Sequence, residues 1–190
     1  VHEGLLLSER LPIEFYLRPT LEVAHDLLGQ LLCRRLQDGN VLRGRIVEVE
    51  AYDGPKDRAS HAHRGLTRRN APMFEAGGIA YVYQIYGMHH CLNVVTGPEG
   101  YPAAVLVRAA ESPHGGLSAS GPGRLCRAFG VNRALDGESF LGRVLWLEEG
   151  EPPSPGGIER TARIGVGYAG WWSRRRFRFV IAGHPDLSRR

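Results

Sequence analysis

"IAYVYQIYGMHHCLNVV", residues 79–95, decides how this chain folds. Its first half reads as a strand with Tyr81 and Tyr83 on one face. A second strand-like run, "HHCLNVV" (89–95), is joined to it through Tyr86-Gly87-Met88, and "AAVLVRAA" (103–110) supplies a third. Three such runs joined by short connections predict an antiparallel meander over 79–110. Upstream, "LLCRRLQDGNVLRGRIVEVEAY" (31–52) reads as two extended runs around Asp38-Gly39-Asn40, a hairpin signal. Before it, "PTLEVAHDLLGQLL" (19–32) spaces Leu21, Ala24, Leu27 and Leu28 for a helix, with Thr20 as N-cap and Gly29 as stop. "GPGRLCRAFGV" (121–131) opens a short helix, and "RVLWLEE" (143–149) and "FRFVIAG" (177–183) are late strands. "DGPKDRASHAHRGLTRRNAP" (53–72) is polar and carries Gly and Pro, so it reads as loop with room for a short helix. Repeats and heptads are missing. The expectation is an α+β fold: a single domain, 1–190, built on antiparallel strands.

Composition narrows the class. With 190 residues, 43% of them hydrophobic, the chain can bury a core. Gly at 25 and Pro at 12 imply many turns and argue against a helical bundle. No apolar run is long enough for a bilayer, and "GLLL" (4–7) is too short to count. Three widely spaced cysteines, Cys33, Cys91 and Cys126, form no CxxC pair, which fits a reducing compartment and argues against a disulfide framework. The formal charge is +4, and Lys56 is the only lysine among 24 basic residues. Arginine suits bidentate phosphate contacts, although genome base composition also enriches it.

The strand "RIVEVEAY" (45–52) holds the first candidate chemistry. Strand alternation puts Ile46, Glu48, Glu50 and Tyr52 on one face and Val47 and Val49 on the other. Two carboxylates there are either solvated or, if buried, in need of partners. Glu50 is the favoured general base because it ends the run beside a Gly-Pro loop. His61 and His63 form an HxH, and His89 and His90 are adjacent, but no HExxH or cysteine set accompanies them, so a pocket or phosphate role is preferred to a metal. "GVGYAG" (165–170) has dinucleotide-like glycine spacing without a βαβ context. At the Gly87 turn, Tyr86 and Met88 would be an exposed apolar liability unless they meet a partner. Such residues wedge base steps in proteins that kink DNA; folding back onto the core is the alternative.

Together, "RIVEVEAYDGPKDRASH" (45–61), "TRRNAPMF" (67–74), "YVYQIYGMHHCLN" (81–93), "AAVLVRAAE" (103–111), "SGPGRLCRAFGVN" (120–132) and "ARIGVGYAGWW" (162–172) resemble the alkyladenine (3-methyladenine) DNA glycosylase family, in order over residues 18–186. The resemblance implies a curved, mostly antiparallel sheet flanked by helices, similar to the formyltransferase C-terminal-domain-like fold, with residues 1–17 as an N-terminal extension. It implies a monomeric enzyme of base excision repair with no cofactor and no metal, located in the cytoplasm or nucleoid (the nucleus in a eukaryote). Its partner would be double-stranded DNA containing a damaged base. Carried over residue by residue, Glu50 would activate the water that attacks C1′, and Arg108 would hold the flipped nucleotide's backbone. Tyr52, His61 and Tyr83 would line the base pocket, with Asn93 discriminating against guanine's 2-amino group. Tyr86 would fill the vacated space in the duplex, with Met88 beside it in the minor groove. Tyr81 has no role beyond packing. His89 and His90 stand where eukaryotic members have an aromatic residue after the methionine, Arg68 stands where relatives often have proline, and the region after Glu111 looks short.

Two alternatives stay open on sequence grounds. One is a non-catalytic nucleic-acid-binding module, since fold alone does not fix function. The other is a glycosidase of a different class using Glu48 and Glu50 as its pair; same-face strand neighbours are ~6.5–7 Å apart at Cα, within reach of the carboxyl separations such enzymes need.

Overall fold

The computed structural model describes residues 9–113 and 116–188. Eight strands form one antiparallel sheet that curls into a half-barrel. They are β1 (Leu31–Arg35), β2 (Val41–Asp53), β3 (Ala80–Ile85), β4 (His89–Val95), β5 (Ala103–Ala110), β6 (Leu145–Glu148), β7 (Ile158–Thr161) and β8 (Arg178–Ile181). The order is β3-β4-β5-β2-β1-β6, with β8 pairing β2 and β7. Three helices accompany it: α1 (Ile13–Tyr16), α2 (Thr20–Leu27) and α3 (Pro122–Ala128). No helix among the described residues is long and apolar enough to cross a membrane. The "GLLL" run lies outside the described residues.

The meander over 79–110 is present as β3-β4-β5, and the hairpin around Gly39 as β1-β2. β2 is the hub. Its first half pairs with β1, while its second half pairs with β5 on one side and β8 on the other. Register shifts at Ile46/Glu48 and Glu48/Val49 mark the changeover. That irregularity corrects one expectation. Ile46 belongs to the core with Val49 and Ala51 and does not share the face of Glu48 and Glu50, because a bulge displaces the alternation by one residue. Glu50 also does not end its strand. β2 continues to Asp53, and Glu50 is flanked by Leu106 of β5 and Arg178 of β8.

Beyond the bulge, period-two alternation divides the sheet. Ala80 and Val82, Leu92 and Val94, Val105 and Val107, and Val49 and Ala51 point into the main core. Their neighbours, Tyr81 and Tyr83, Cys91 and Asn93, Leu106 and Arg108, and Tyr52, line a cavity on the opposite face. Tyr16, fully buried, stacks on Phe140 at 6.0 Å, so the segment read as an extension contributes to the core. Thr20 opens α2 as expected but does not cap it: the N-cap is Pro19, and the Thr20 hydroxyl bonds Thr96 at 3.0 Å. The strand at 158–161 and the 3-10 turns at 61–64, 71–74 and 167–174 are too short to carry a periodic signal.

Candidate active site

The cavity is about 230 Å³ and its floor is the sheet face just described. Two loops form its walls: residues 54–74 contribute Ala59, His61 and Met73, and residues 164–168 contribute Ile164, Val166 and Tyr168. Tyr52, His61, Tyr83, Asn93, Tyr86 and Arg108 all line it. Met88 does not. It lies at the turn with 70% of its surface exposed.

Glu48 and Glu50 are both fully buried, so the solvated alternative does not hold. They live in different electrostatic surroundings. Glu48 Oε1 accepts from Arg108 Nε at 2.8 Å, Arg178 Nε at 2.7 Å and the Ser188 hydroxyl at 2.7 Å, while Oε2 accepts from the Ser188 N–H at 2.6 Å. Burial alone would push its carboxyl up, but the bonds from Arg178 and Ser188 and the charge of Arg108 outweigh it, and the pKa falls below the usual range. Glu50 has fewer donors: the Ile164 N–H at 2.7 Å, the Tyr52 hydroxyl at 2.9 Å, and Arg108 Nη1 at 3.4 Å. Here burial wins over Arg108 and the two bonds, and the carboxyl is pushed up. Tyr52 and Ile164 line the cavity, so Glu50 sits directly behind its wall.

The aromatic residues are fixed by one another. Tyr81 contacts His61 Nδ1 through its hydroxyl at 3.0 Å, and its carbonyl accepts from Asn93 Nδ2 at 2.9 Å. His61 meets the edge of Tyr83 at 4.6 Å between ring centroids, and Tyr81 and Tyr83 are 5.2 Å apart. Burial, followed by the charge of Arg69, lowers the His61 pKa and keeps its ring neutral. Burial, with the Glu50 charge, pushes the Tyr52 hydroxyl well up, so it stays protonated and donates to Glu50. Tyr81 is therefore a pocket residue that orients His61 and Asn93, beyond the packing role read from the sequence. The only cysteine lining the cavity, Cys91, has its thiol pushed up by burial and is a poor nucleophile.

Other supporting residues had no sequence signal of their own. Arg163, fully buried, bonds Asp57 through two nitrogens at 2.5 and 2.9 Å, donates to the Ala51 carbonyl at 2.9 Å, and lies over the Tyr52 ring at 4.8 Å. It ties the two wall loops together and places the Ile164 N–H, the next residue, on Glu50. Arg178 and Ser188 approach Glu48 from 130 and 140 positions away in the chain. Among the described residues no group of three or more His, Cys, Asp or Glu gathers as a metal site. His63 bonds the Pro55 carbonyl at 3.0 Å, and His89 packs close to Gly123 of α3.

The β3-β4 turn stands at the mouth. Tyr86 is 87% exposed and has φ 51°, a left-handed conformation shared by no other non-glycine residue among those described. Gly87 follows at φ 70°, and Gln84 Nε2 donates to its carbonyl at 2.7 Å. Left-handed φ at both central residues matches strand twist in tight hairpins, but it costs a tyrosine about 1–2 kcal/mol. The turn thus holds an aromatic ring in water on a strained backbone. Tyr86→Asn, which tolerates this conformation, is expected to raise stability by up to about 1 kcal/mol; thermal unfolding checks this.

A family model described as methylpurine-DNA glycosylase matches residues 14–185. The chain belongs to the methylpurine-DNA glycosylase family. An Anaeromyxobacter dehalogenans (strain 2CP-1) protein named "Putative 3-methyladenine DNA glycosylase" is 52% identical over 183 residues, covering 95% of this chain and 86% of that protein. A Methanocella arvoryzae protein of the same name is 48% identical over 195 residues, covering 95% and 96%. The human "DNA-3-methyladenine glycosylase" is 41% identical over 206 residues, covering 94% and 68%. Methylpurine-DNA glycosylases hydrolyse N-glycosidic bonds in DNA in base excision repair, and DNA is thereby the substrate class of this chain.

Proposed function

We propose that this glycosylase flips a damaged purine into the aromatic cavity and hydrolyses its N-glycosidic bond with a water activated by Glu50. Candidate bases are 3-methyladenine, 7-methylguanine and hypoxanthine. The observation that carries the reading is the position of Glu50, the one carboxylate of the buried pair held directly behind the cavity wall, where the Tyr52 hydroxyl and the Ile164 N–H bond it. Alkylation at N3 or N7 puts positive charge on the base, which weakens the glycosidic bond. The transition state is oxocarbenium-like, so a carboxylate there activates water and stabilises the developing charge. Tyr52, Tyr83 and neutral His61 offer ring faces and edges to the flipped base, and electron-rich rings favour a cationic one. Asn93 has its amide anchored on Tyr81 and is suited to reading the purine edge. Arg108, bound to Glu48, keeps its charge within reach of the nucleotide entering the cavity.

Tyr86 is the wedge, with Met88 beside it. An exposed ring on a strained turn at the cavity mouth is what insertion into a base stack requires, since flipping costs a few kcal/mol. Tyr86→Ser is expected to slow base release from a fully paired duplex about tenfold for each 1.4 kcal/mol of flipping the wedge offsets. The loss should be smaller on a mismatched or single-stranded site, and equal losses on all substrates would count against the wedge.

The glycosidase alternative loses ground because Glu48 is held by four hydrogen bonds from Arg108, Arg178 and Ser188, which leaves Glu50 as the carboxylate bonded to the cavity wall. A Schiff-base mechanism also lacks support: Lys56 is exposed and is not among the residues lining the cavity. The test is an oligonucleotide duplex carrying one alkylated purine or hypoxanthine. Free base and an intact abasic strand are expected, and borohydride trapping of a covalent adduct would overturn the hydrolytic reading.

The raised Glu50 pKa sets a pH dependence. Glu50 must be ionised to act as base, so single-turnover release should fall on acidification through an inflection above the ordinary carboxylate value of ~4.3. The inflection should be the same for a cationic alkylpurine and for neutral hypoxanthine, because it belongs to the enzyme. Different inflections for the two substrates would assign it to the base instead.

A further inference from the structure

The 3-10 segment Gly167–Arg174 faces two places at once. Tyr168 lines the cavity, and three residues later Trp171, 61% exposed, lines a separate groove of about 570 Å³. Three residues span at most about 11 Å, so the backbone positions of Tyr168 and Trp171 lie within that distance of each other. Arg160, Arg174, Arg175 and Arg176 line it together with Phe177, and Leu21 of α2 forms the far lip. No carboxylate lines the groove, and none of the four arginines takes part in an ion pair among the described residues. Four clustered guanidinium groups without counter-charge repel one another unless an anion joins them.

These arginines are also held in place. Arg160 Nε donates to the Arg176 carbonyl at 3.1 Å and Arg176 Nε donates to the Arg160 carbonyl at 2.8 Å. Each head is thus anchored through Nε with its outer edge turned to solvent. Arg175 lies over Trp171 at 4.9 Å and over Phe177 at 5.0 Å. Anchored forks beside an exposed indole match a phosphodiester backbone, which guanidinium recognises through paired N–H donors, and the indole gives a sugar or base a stacking surface.

We infer that the groove formed by Arg160, Trp171, Arg174, Arg175 and Arg176 is a second DNA contact, which binds the backbone of the duplex arm flanking the lesion. The inference rests on DNA being the substrate but is independent of Glu50 and of base release. The groove lies outside the cavity, so its arginines add affinity and salt dependence without touching the reacting nucleotide.

The test compares wild type with Arg160→Gln/Arg174→Gln/Arg176→Gln, three exposed positions. Binding is read by fluorescence anisotropy on an undamaged duplex with arms of about fifteen base pairs (~51 Å of axis) on each side of the centre. Removing three phosphate contacts lowers the log–log salt slope by about 0.9 each, so the affinity drop between 50 and 200 mM salt shrinks about 40-fold. Single-turnover base release at saturating enzyme stays unchanged. Trp171→Ala weakens binding with little change in slope. Unchanged slope and affinity would overturn the inference, whichever acidic ligand the groove then proved to bind. Base release at saturating enzyme that fell together with affinity would overturn the flanking-arm assignment. A wild-type protein that bound DNA in this way but released no base would refute the proposed chemistry and leave the groove standing.

Discussion

Replacing Glu50 by Gln is expected to cut single-turnover base release by about 10²–10⁴-fold, the range a positioned general base contributes, while affinity for a lesion duplex changes little. Gln keeps the shape: its one oxygen can still accept from the Ile164 N–H, which bonds Glu50 Oε1 at 2.7 Å, and its NH2 can donate to the Tyr52 hydroxyl oxygen, which bonds Glu50 Oε2 at 2.9 Å. It cannot take a proton from water. The same substitution should not weaken the fold. Burial raises the Glu50 pKa in the folded state, so the folded protein binds that proton more tightly than the unfolded chain. The stability this contributes is complete below the unfolded value near ~4.3 and is lost as pH rises through the raised folded value. Gln never ionises, so at neutral pH the melting temperature of the variant should equal or exceed that of wild type, and the difference should close in acid. Lost binding with unchanged turnover of bound DNA would remove Glu50 from the role of base.

The neighbouring carboxylate should behave in the opposite way. Glu48→Gln is expected to destabilise the protein by about 3–5 kcal/mol, the cost of leaving buried charge uncompensated. Arg108 and Arg178 both rest their Nε on Glu48, and the Ser188 N–H and hydroxyl close the cluster. The folded pKa of Glu48 is lowered despite its burial, so its contribution is present above the unfolded value and is lost as pH falls through the folded one. Urea unfolding at neutral pH should show the full deficit, which narrows only under strongly acidic conditions. A deficit under about 1 kcal/mol would mean that water reaches the cluster and screens it. Two carboxylates on one strand face thus have different partners: Glu48 neutralises the arginines, and Glu50 is the one proposed to act on water.

How much of this was legible follows from how each feature is encoded. Alternation along 79–95 and 103–110 placed the meander, and the same period put Tyr81 and Tyr83 on one face, because side-chain direction in a strand is a local property. Ile46 went to the other face for a reason local pattern cannot carry: the bulge arises where β2 exchanges β1 for β5 and β8 as neighbours. Glu50 was singled out as a strand end, yet it lies inside the sheet, and its burial comes from the loop bearing Ile164. Asp57 and Arg163 meet across 106 positions, and Glu48 and Ser188 across 140. Neither pair has a spacing that a motif could record.

By itself, then, the sequence determined the antiparallel α+β class, the place of the tyrosine turn and the stretches that carry the family likeness, since these depend on residue type and short-range periodicity. Only the tertiary structure decided which of two chemically identical carboxylates is neutralised and which is left poised. Glu48 and Glu50 differ in the groups that distant segments bring to them: at Glu48 the bonds from Arg178 and Ser188 and the charge of Arg108 outweigh burial, whereas at Glu50 burial outweighs Arg108 and the two bonds.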